Sequence, residues 1–273
     1  MINDDSPKAI DAIESTAWVD SYKVLDSTRA HALGMSQAIS TDSAGLAMRA
    51  IPGGIFNRFQ LFDIDPSTCV DKLTAGIRWL EEHATPNPIA IDLVAPVGTP
   101  QRAFLEDRGM EVQYQFAKFR RDATPVVPSI SDHLDIREID AEHAADFAQV
   151  AQRSFELPEA ISEWLQAIPG RKGWRVYVAY EGRVAMAAGA MFLQGDMAWL
   201  GWGSTLPDFR NRGGQLAILN RRLQDGITAG AKVFTIETFF EAENGKPNQS
   251  YRNVVRAGFE LSHMRQLFMR RQA

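Results

Sequence analysis

Between Leu134 and Arg270 the apolar residues fall into short runs with two kinds of spacing. Leu134 to Ile139 predicts a short strand. Ala144, Phe147, Ala148, Ala151 and Phe155 then share one stripe, the spacing of a half-buried helix. A second short helix is expected over 161–168, closed by Pro169 and Gly170. Three strand-like runs follow, at 174–180, 184–192 and 197–205. The turns between them, Glu181-Gly182 and Gln194-Gly195-Asp196, are short enough for antiparallel hairpins. Leu216, Leu219, Leu223 and Ile227 mark an amphipathic helix, with Gly230 as its C-terminal cap. A strand over 233–238, a polar loop, a helix over 250–256 and a strand pair over 259–270 complete this half. Antiparallel strands giving way to strand–helix–strand predict a mixed sheet.

The preceding half reads as a reduced copy. Val70, Leu73, Ile77 and Leu80 mark a helix, and Ile89 to Val94 a strand. The run from Ala103 to Arg121 parallels the run from Arg252 to Arg271. In both, a helix ends at a glycine, a hydrophobe, a glutamate and an aliphatic follow, and a strand ends in arginines. Asp122 to His133, with two prolines among small polar residues, reads as a linker between the halves. The expected fold is α/β (α+β), with domains over 1–124 and 134–273 and a linker over 125–133.

The composition narrows the function classes. A chain of 273 residues is about two ordinary domains long and can bury a full core without staples. Its single cysteine, Cys69, rules out an internal disulfide and favours a reducing compartment, while staying compatible with a cysteine-poor secreted protein. The first fourteen residues are acidic and lack the basic and apolar regions of a signal peptide. No apolar run approaches the ~18 residues of a membrane helix. A cytoplasmic protein without a membrane partner is therefore expected. The net charge of −5 argues against nucleic acid as the main partner. Oligomeric state is open.

The chemistry is expected at the turn from Gly201 to Leu219. A strand runs into Pro207, and Arg210, Asn211, Arg212, Gly213, Gly214 and Gln215 lead straight into a helix. Helix N-termini present unpaired N–H groups and the positive end of the macrodipole. Glycines let that backbone approach an anion closely, and guanidinium groups bind phosphate bidentately. By itself the pattern is equally that of a plain connection with a solvated arginine pair. It is neither a dinucleotide fingerprint nor a Walker loop, because the third glycine and the G-x-x-x-x-G-K-[ST] run are missing.

One strand later comes Asn248-Gln-Ser250-Tyr-Arg252-Asn253-x-x-Arg256-x-Gly258-Phe259. With R-x-x-G-x before it, this region, about 134–271, resembles the GNAT acyltransferase superfamily. The resemblance implies two GNAT-like domains, each a mixed, mostly antiparallel sheet flanked by helices, with the N-terminal one degenerate. It implies acetyl-coenzyme A, or a related acyl-coenzyme A, as donor. Gly203, Ser204 and Thr205 would pair with the pantetheine arm. Arg210 to Gln215 would hold the pyrophosphate, and Asn248 and Ser250 would face the pantetheine. Two departures stand out. Gln215 occupies a position where the family usually has Gly or Ala. Val254 occupies the position of the tyrosine that often protonates the departing thiolate, and Tyr251 is rotated about 100° from that face.

Acyl transfer to an amine calls for a base. The strand over 197–205 carries no glutamate, so Glu237 on the next strand is the expected base, and Tyr251 the substitute acid. Glu237 is equally readable as a solvent-facing or ion-paired strand residue. The histidines show no metal-ligand spacing, and no metal is expected. Cys69 is expected to start a helix and pack. Trp164, Trp174, Trp199 and Trp202 are expected in the core, with Trp199, Gly201 and Gly203 on one strand face. The glycines on that face leave room either for a ligand or for close helix packing. In the N-terminal half the corresponding turn, Phe62 to Ser67, carries Asp63 and Asp65, which would repel a pyrophosphate. That half is expected not to bind coenzyme A. The sequence therefore predicts an N-acetyltransferase acting on a small-molecule or peptide amine. The rivals are a condensing enzyme of tandem-GNAT type and a coenzyme A-binding sensor or scaffold.

Overall fold

The computed structural model describes residues 5–62, 65, 67–126, 134–240 and 248–270. In chain order the elements are α1 (Pro7–Ser21), α2 (Ser27–Ala32), β1 (Met35–Ile39), β2 (Ser43–Met48), β3 (Arg58–Leu61), α3 (Cys69–Ala84), β4 (Ala90–Leu93), α4 (Pro100–Glu106) and β5 (Met110–Asp122). Then come β6 (Asp135–Ile139), α5 (Ala144–Phe155), α6 (Ser162–Gln166), β7 (Trp174–Glu181), β8 (Val184–Gln194) and β9 (Met197–Thr205). The last are α7 (Gly214–Thr228), β10 (Val233–Phe239), α8 (Gln249–Arg256) and β11 (Glu260–Arg270).

The chain folds as two compact units. One comprises Ser6–Lys118 with Thr238–Asn248 and Ser262–Ala273; the other comprises Phe119–Glu237 and Gln249–Leu261 with Asp5. In the first unit β1, β2 and β3 pair antiparallel in sequence, β3 pairs parallel with β4 across α3, and β4 pairs antiparallel with β11. In the second, β6, β7, β8 and β9 pair antiparallel, and β9 pairs parallel with β10 across α7. Each unit thus ends an antiparallel meander in one strand–helix–strand crossover. That is the mixed, mostly antiparallel sheet flanked by helices that the sequence predicts.

Local sequence accounts for the boundaries. Ser6 caps α1 by accepting from the Ala9 N–H at 3.3 Å, and Pro7 takes the first helical position. Asp26 caps α2 through the Arg29 N–H at 2.9 Å. Gly109 and Gly258 follow α4 and α8 with φ of 69° and 83°, the left-handed geometry that stops a helix. Beyond α8 there is one long strand, β11, where the sequence predicts a strand pair. Between Leu261 and Met269 no glycine or proline supplies a turn, and the backbone stays extended.

The core of the first unit is unusual. Helix α1 buries Ile10, Ile13, Ala17 and Val19, but also Asp11, Glu14 and Ser15. Arg265 bonds Asp92 at 2.8 Å and also pairs with Asp11, and Lys118 bonds Glu14 at 2.6 Å. Gln60 bridges Ser15 at 3.1 Å and Asp92 at 2.9 Å. Burial alone would raise the Asp92 pKa, but Arg265, Arg58 and Lys118 overcome it and hold the carboxyl at about 2. In the second unit, α5 and α6 bring Phe147 and Trp164 against Trp202, with ring centroids 6.4 and 5.6 Å apart. Helix α7 packs Ile218 on Tyr177, Ala179, Met186 and Ala187.

Candidate functional site

The site begins at a break in the β8–β9 ladder. Ala188 faces Ser204 and Ala190 faces Gly201, so Gly189 alone opposes Trp202 and Gly203. This is a β-bulge. Trp202 sits in it with φ 57°, a left-handed conformation that costs a bulky residue energy. Its indole is held by the Phe147, Phe155 and Trp164 rings. Past the bulge, Thr205 and the turn at Pro207–Phe209 lead the chain outward.

Asn211 and Gly213 then adopt φ of 64° and 83°. Asparagine tolerates this region better than most residues, and glycine enters it without penalty. The paired reversals tip the chain into α7, whose N-cap is Gly213, with no side chain capping its first turn. The first intrahelical bond of that turn runs from the Ala217 N–H to the Gly213 carbonyl at 3.0 Å. A Cβ on Gly214 would lie 2.8 Å from the Met186 methyl and 3.2 Å from the Ala187 Cβ, so this helix end is pressed against β8.

Helix α8 closes the other side. Asn253 donates to the Gln215 side-chain oxygen at 2.7 Å, Gln215 donates to Ser250 Oγ at 3.2 Å, and Gln249 donates to Asn253 at 3.1 Å. The Gln215 side chain thereby turns toward α8 and ties it to α7.

These pieces enclose a cavity of about 480 Å³. Its wall includes Ser154 and Phe155 of α5, Gly203 to Thr205 of β9, Arg210, Asn211 and Gly213 to Leu216, and Gln249, Ser250, Asn253 and Arg256 of α8. Among the described residues, Arg210 and Arg256 are the charged ones in its wall, and no carboxylate lines it. The hydroxyls of Ser154, Ser204 and Thr205 are buried without a hydrogen-bond partner.

No family model matches the sequence. No curated protein matches it either. Solved structures do. A GCN5-related N-acetyltransferase from Kribbella flavida superposes with a TM-score of 0.63 at 13% identity, covering 96% of each chain. One from Sphaerobacter thermophilus gives 0.63 at 13% identity over 85% of this chain and 81% of that one. A conserved protein of unknown function from Staphylococcus epidermidis gives 0.60 at 9% identity, covering 88% and 96%. The chain has the GNAT fold.

Against that fold, the residues named from the sequence divide. Gly203, Ser204, Thr205, Arg210, Asn211, Gly213, Gly214, Gln215 and Ser250 all line the cavity. Arg212 turns away from it: its guanidinium bonds Glu181 at 2.8 Å and lies over the Phe209 ring. Asn248 clusters with the first unit, where its amide donates to the Phe239 carbonyl at 2.7 Å. Glu237 is half-buried on β10, and it is not among the lining residues. Tyr251 sets its ring edge-on to Phe119 at 5.0 Å, also off the lining. Val254 is only 2% exposed and belongs to the core.

Trp199 and Gly201 share a face as expected, and the indole fills the space beside the glycine: a Cβ there would fall 2.0 Å from the ring. Gly201 thus serves packing, whereas Gly203 lines the cavity. Cys69 starts α3 and is buried, and burial raises its thiol pKa.

The sequence reading missed Ser154, Phe155, Gln249, Asn253 and Arg256. The last two sit in the quoted motif, and their spacing to Ser250 on a helix is a usable signal. Ser154 and Phe155 carry no local signal.

In the first unit, the turn before α3 is built differently. Asp65 accepts from the Ser67 N–H at 2.9 Å and the Ser67 hydroxyl at 2.7 Å. A carboxylate already occupies that turn; Asp63, Ile64 and Pro66 lie outside the described residues. No described helix is long and apolar enough to cross a membrane. Asp140, Glu142 and His143 converge at the start of α5, but all three are exposed, and Asp140 caps the Glu142 N–H at 3.0 Å.

Proposed function

We propose that the chain is an acyltransferase that moves an acetyl group from acetyl-coenzyme A to an amine. The observation that carries this is the cavity itself. It joins an uncapped helix N-terminus and two arginines, with no carboxylate among the described residues of its wall. A long, anionic, amide-containing donor matches that lining. The phosphates would meet Arg210, Arg256 and the α7 N-terminus, and the pantetheine would meet Ser204, Thr205 and Ser250. Arg212, by its pairing with Glu181, would contribute long-range charge only.

The reaction forms a C–N bond and breaks a C–S bond, and the amine must lose a proton. At pH 7 deprotonating a lysine-like amine costs about 4.6 kcal/mol. Glu237 is the proposed base, acting through water, and Tyr251 the proposed acid. A thiolate is a tolerable leaving group, so the acid contributes less than the base. The cationic wall favours the donor and does not attract an ammonium acceptor, so the amine would enter beyond it. Domain boundaries at 1–124 and 134–273, and a first domain that does not bind the donor, belong to the same proposal. So does a cytoplasmic location.

A thiol-release assay over amine classes, run beside acetyl-coenzyme A titration, tests this reading. Release with at least one amine class is expected. Tight binding without release across the panel would instead favour a coenzyme A sensor, the reading that Val254 in the core and Tyr251 on Phe119 keep in play.

A further inference from the structure

Arg222 of α7 is 1% exposed. Its Nη1 donates to the Ala190 carbonyl of β8 at 2.8 Å and to the Gly201 carbonyl of β9 at 3.0 Å. These two residues face each other beside the bulge, where the register of the ladder shifts. Its Nε has no hydrogen-bond partner. Nη2 lies 3.7 Å from where a Cβ on Gly203 would stand, and Gly203 lines the cavity. Gly189 lets it through: a Cβ there would be 2.9 Å from the guanidinium carbon.

The nearby acid serves other groups. Asp225 is bonded by Arg221 at 2.9 Å and by the Tyr177 hydroxyl at 3.0 Å, with Arg175 at 3.5 Å. No described carboxylate forms an ion pair with Arg222. Burial pushes its pKa down to about 10, well above neutral, so the cation persists. An unpaired buried cation is costly, and an apolar residue of the same volume would normally stabilise such a position better. A flexible ammonium would present no planar fork. What a guanidinium supplies here is one rigid group bound to both strands at the point where their register shifts.

We propose that Arg222 is a positioning residue that fixes the β8–β9 bulge, and thereby the Gly203–Thr205 edge along which the acyl donor's arm lies. The proposal rests on the donor assignment above for its second half only; the bulge-fixing half stands on the carbonyl bonds.

The test compares Arg222→Lys and Arg222→Met with Leu223→Val, a buried control on the same helix. Amide hydrogen exchange is followed in the ligand-free protein, and acetyl-coenzyme A affinity by calorimetry. In both Arg222 variants the Gly203 to Thr205 amides should exchange about tenfold faster, which the control should not reproduce. Donor affinity should fall about tenfold, out of proportion to any change in melting temperature, and less in Arg222→Lys than in Arg222→Met. Exchange at those amides no faster than in the control would overturn the proposal. So would failure of both variants to fold, since Arg222 would then hold up the whole unit. If the parent binds no acyl-coenzyme A, the proposed function fails, and the exchange measurement still decides the bulge.

Discussion

The Asn253 amide on α8 donates to the Gln215 side-chain oxygen on α7 at 2.7 Å. That one bond explains why a glutamine can stand where the family usually has a small residue. Its side chain leaves the backbone at the α7 N-terminus clear by reaching across to the neighbouring helix. Asn253→Ala removes the donor to a half-buried oxygen, at a cost of about 0.5–1.5 kcal/mol. Thermal denaturation of Asn253→Ala, Gln215→Ala and the double variant should give a coupling of about 0.5–1.5 kcal/mol between the two sites. Additive effects would mean that the contact contributes nothing.

Gly213 and Gly214 are adjacent and fail for different reasons. Gly213 has φ 83°, so Gly213→Ala should cost about 1–2 kcal/mol from backbone strain alone. Gly214→Val drives a side chain into Met186 and Ala187, and should cost about 1–3 kcal/mol through overpacking. Denaturant midpoints separate the two when Met186→Ala is added: it should rescue Gly214→Val and leave Gly213→Ala unchanged.

The Asp92 cluster sets an acid limit on stability. Its pKa of about 2 lies below the ordinary carboxylate value, so its contribution is full above about pH 4 and is lost as pH falls through about 2. The size implied is about 2–3 kcal/mol. Asp92→Asn should remove that pH dependence. At pH 7 it should also cost about 3–5 kcal/mol, by taking a carboxylate from the buried Arg265. Urea titrations from pH 7 down to about pH 1.5 measure both.

Glu237→Gln should lower kcat about 100-fold. Tyr251→Phe should lower kcat less than about tenfold, because a thiolate departs without strong acid help. The reverse order would exchange the two roles.

Much of the second unit was legible in its sequence, because β7, β8 and β9 are near-continuous apolar runs and the turns between them carry glycine. The Arg210–Gln215 turn and the α8 motif could be read as one site because both are short and local. The first unit was less legible. Helix α1 buries Asp11, Glu14 and Ser15 beside its hydrophobes, which breaks the apolar periodicity that announces a helix. The Trp202 bulge depends on rings brought from α5 and α6, and Arg222 looks like any solvated helix arginine until its carbonyl partners are in place. The clustering of Thr238, Phe239, Phe240 and Asn248 with the first unit is long-range, and nothing near Asn248 in the sequence signals it.

The central claim is that Arg210 to Gln215 and the strand edge before it hold an acyl-coenzyme A. Titration calorimetry of acetyl-coenzyme A into the parent chain and into Gly213→Glu tests it most directly. The expected result is one site per chain, weakened at least about tenfold in the variant by charge and by strain at φ 83°. No binding by the parent, or equal binding by Gly213→Glu, would contradict it.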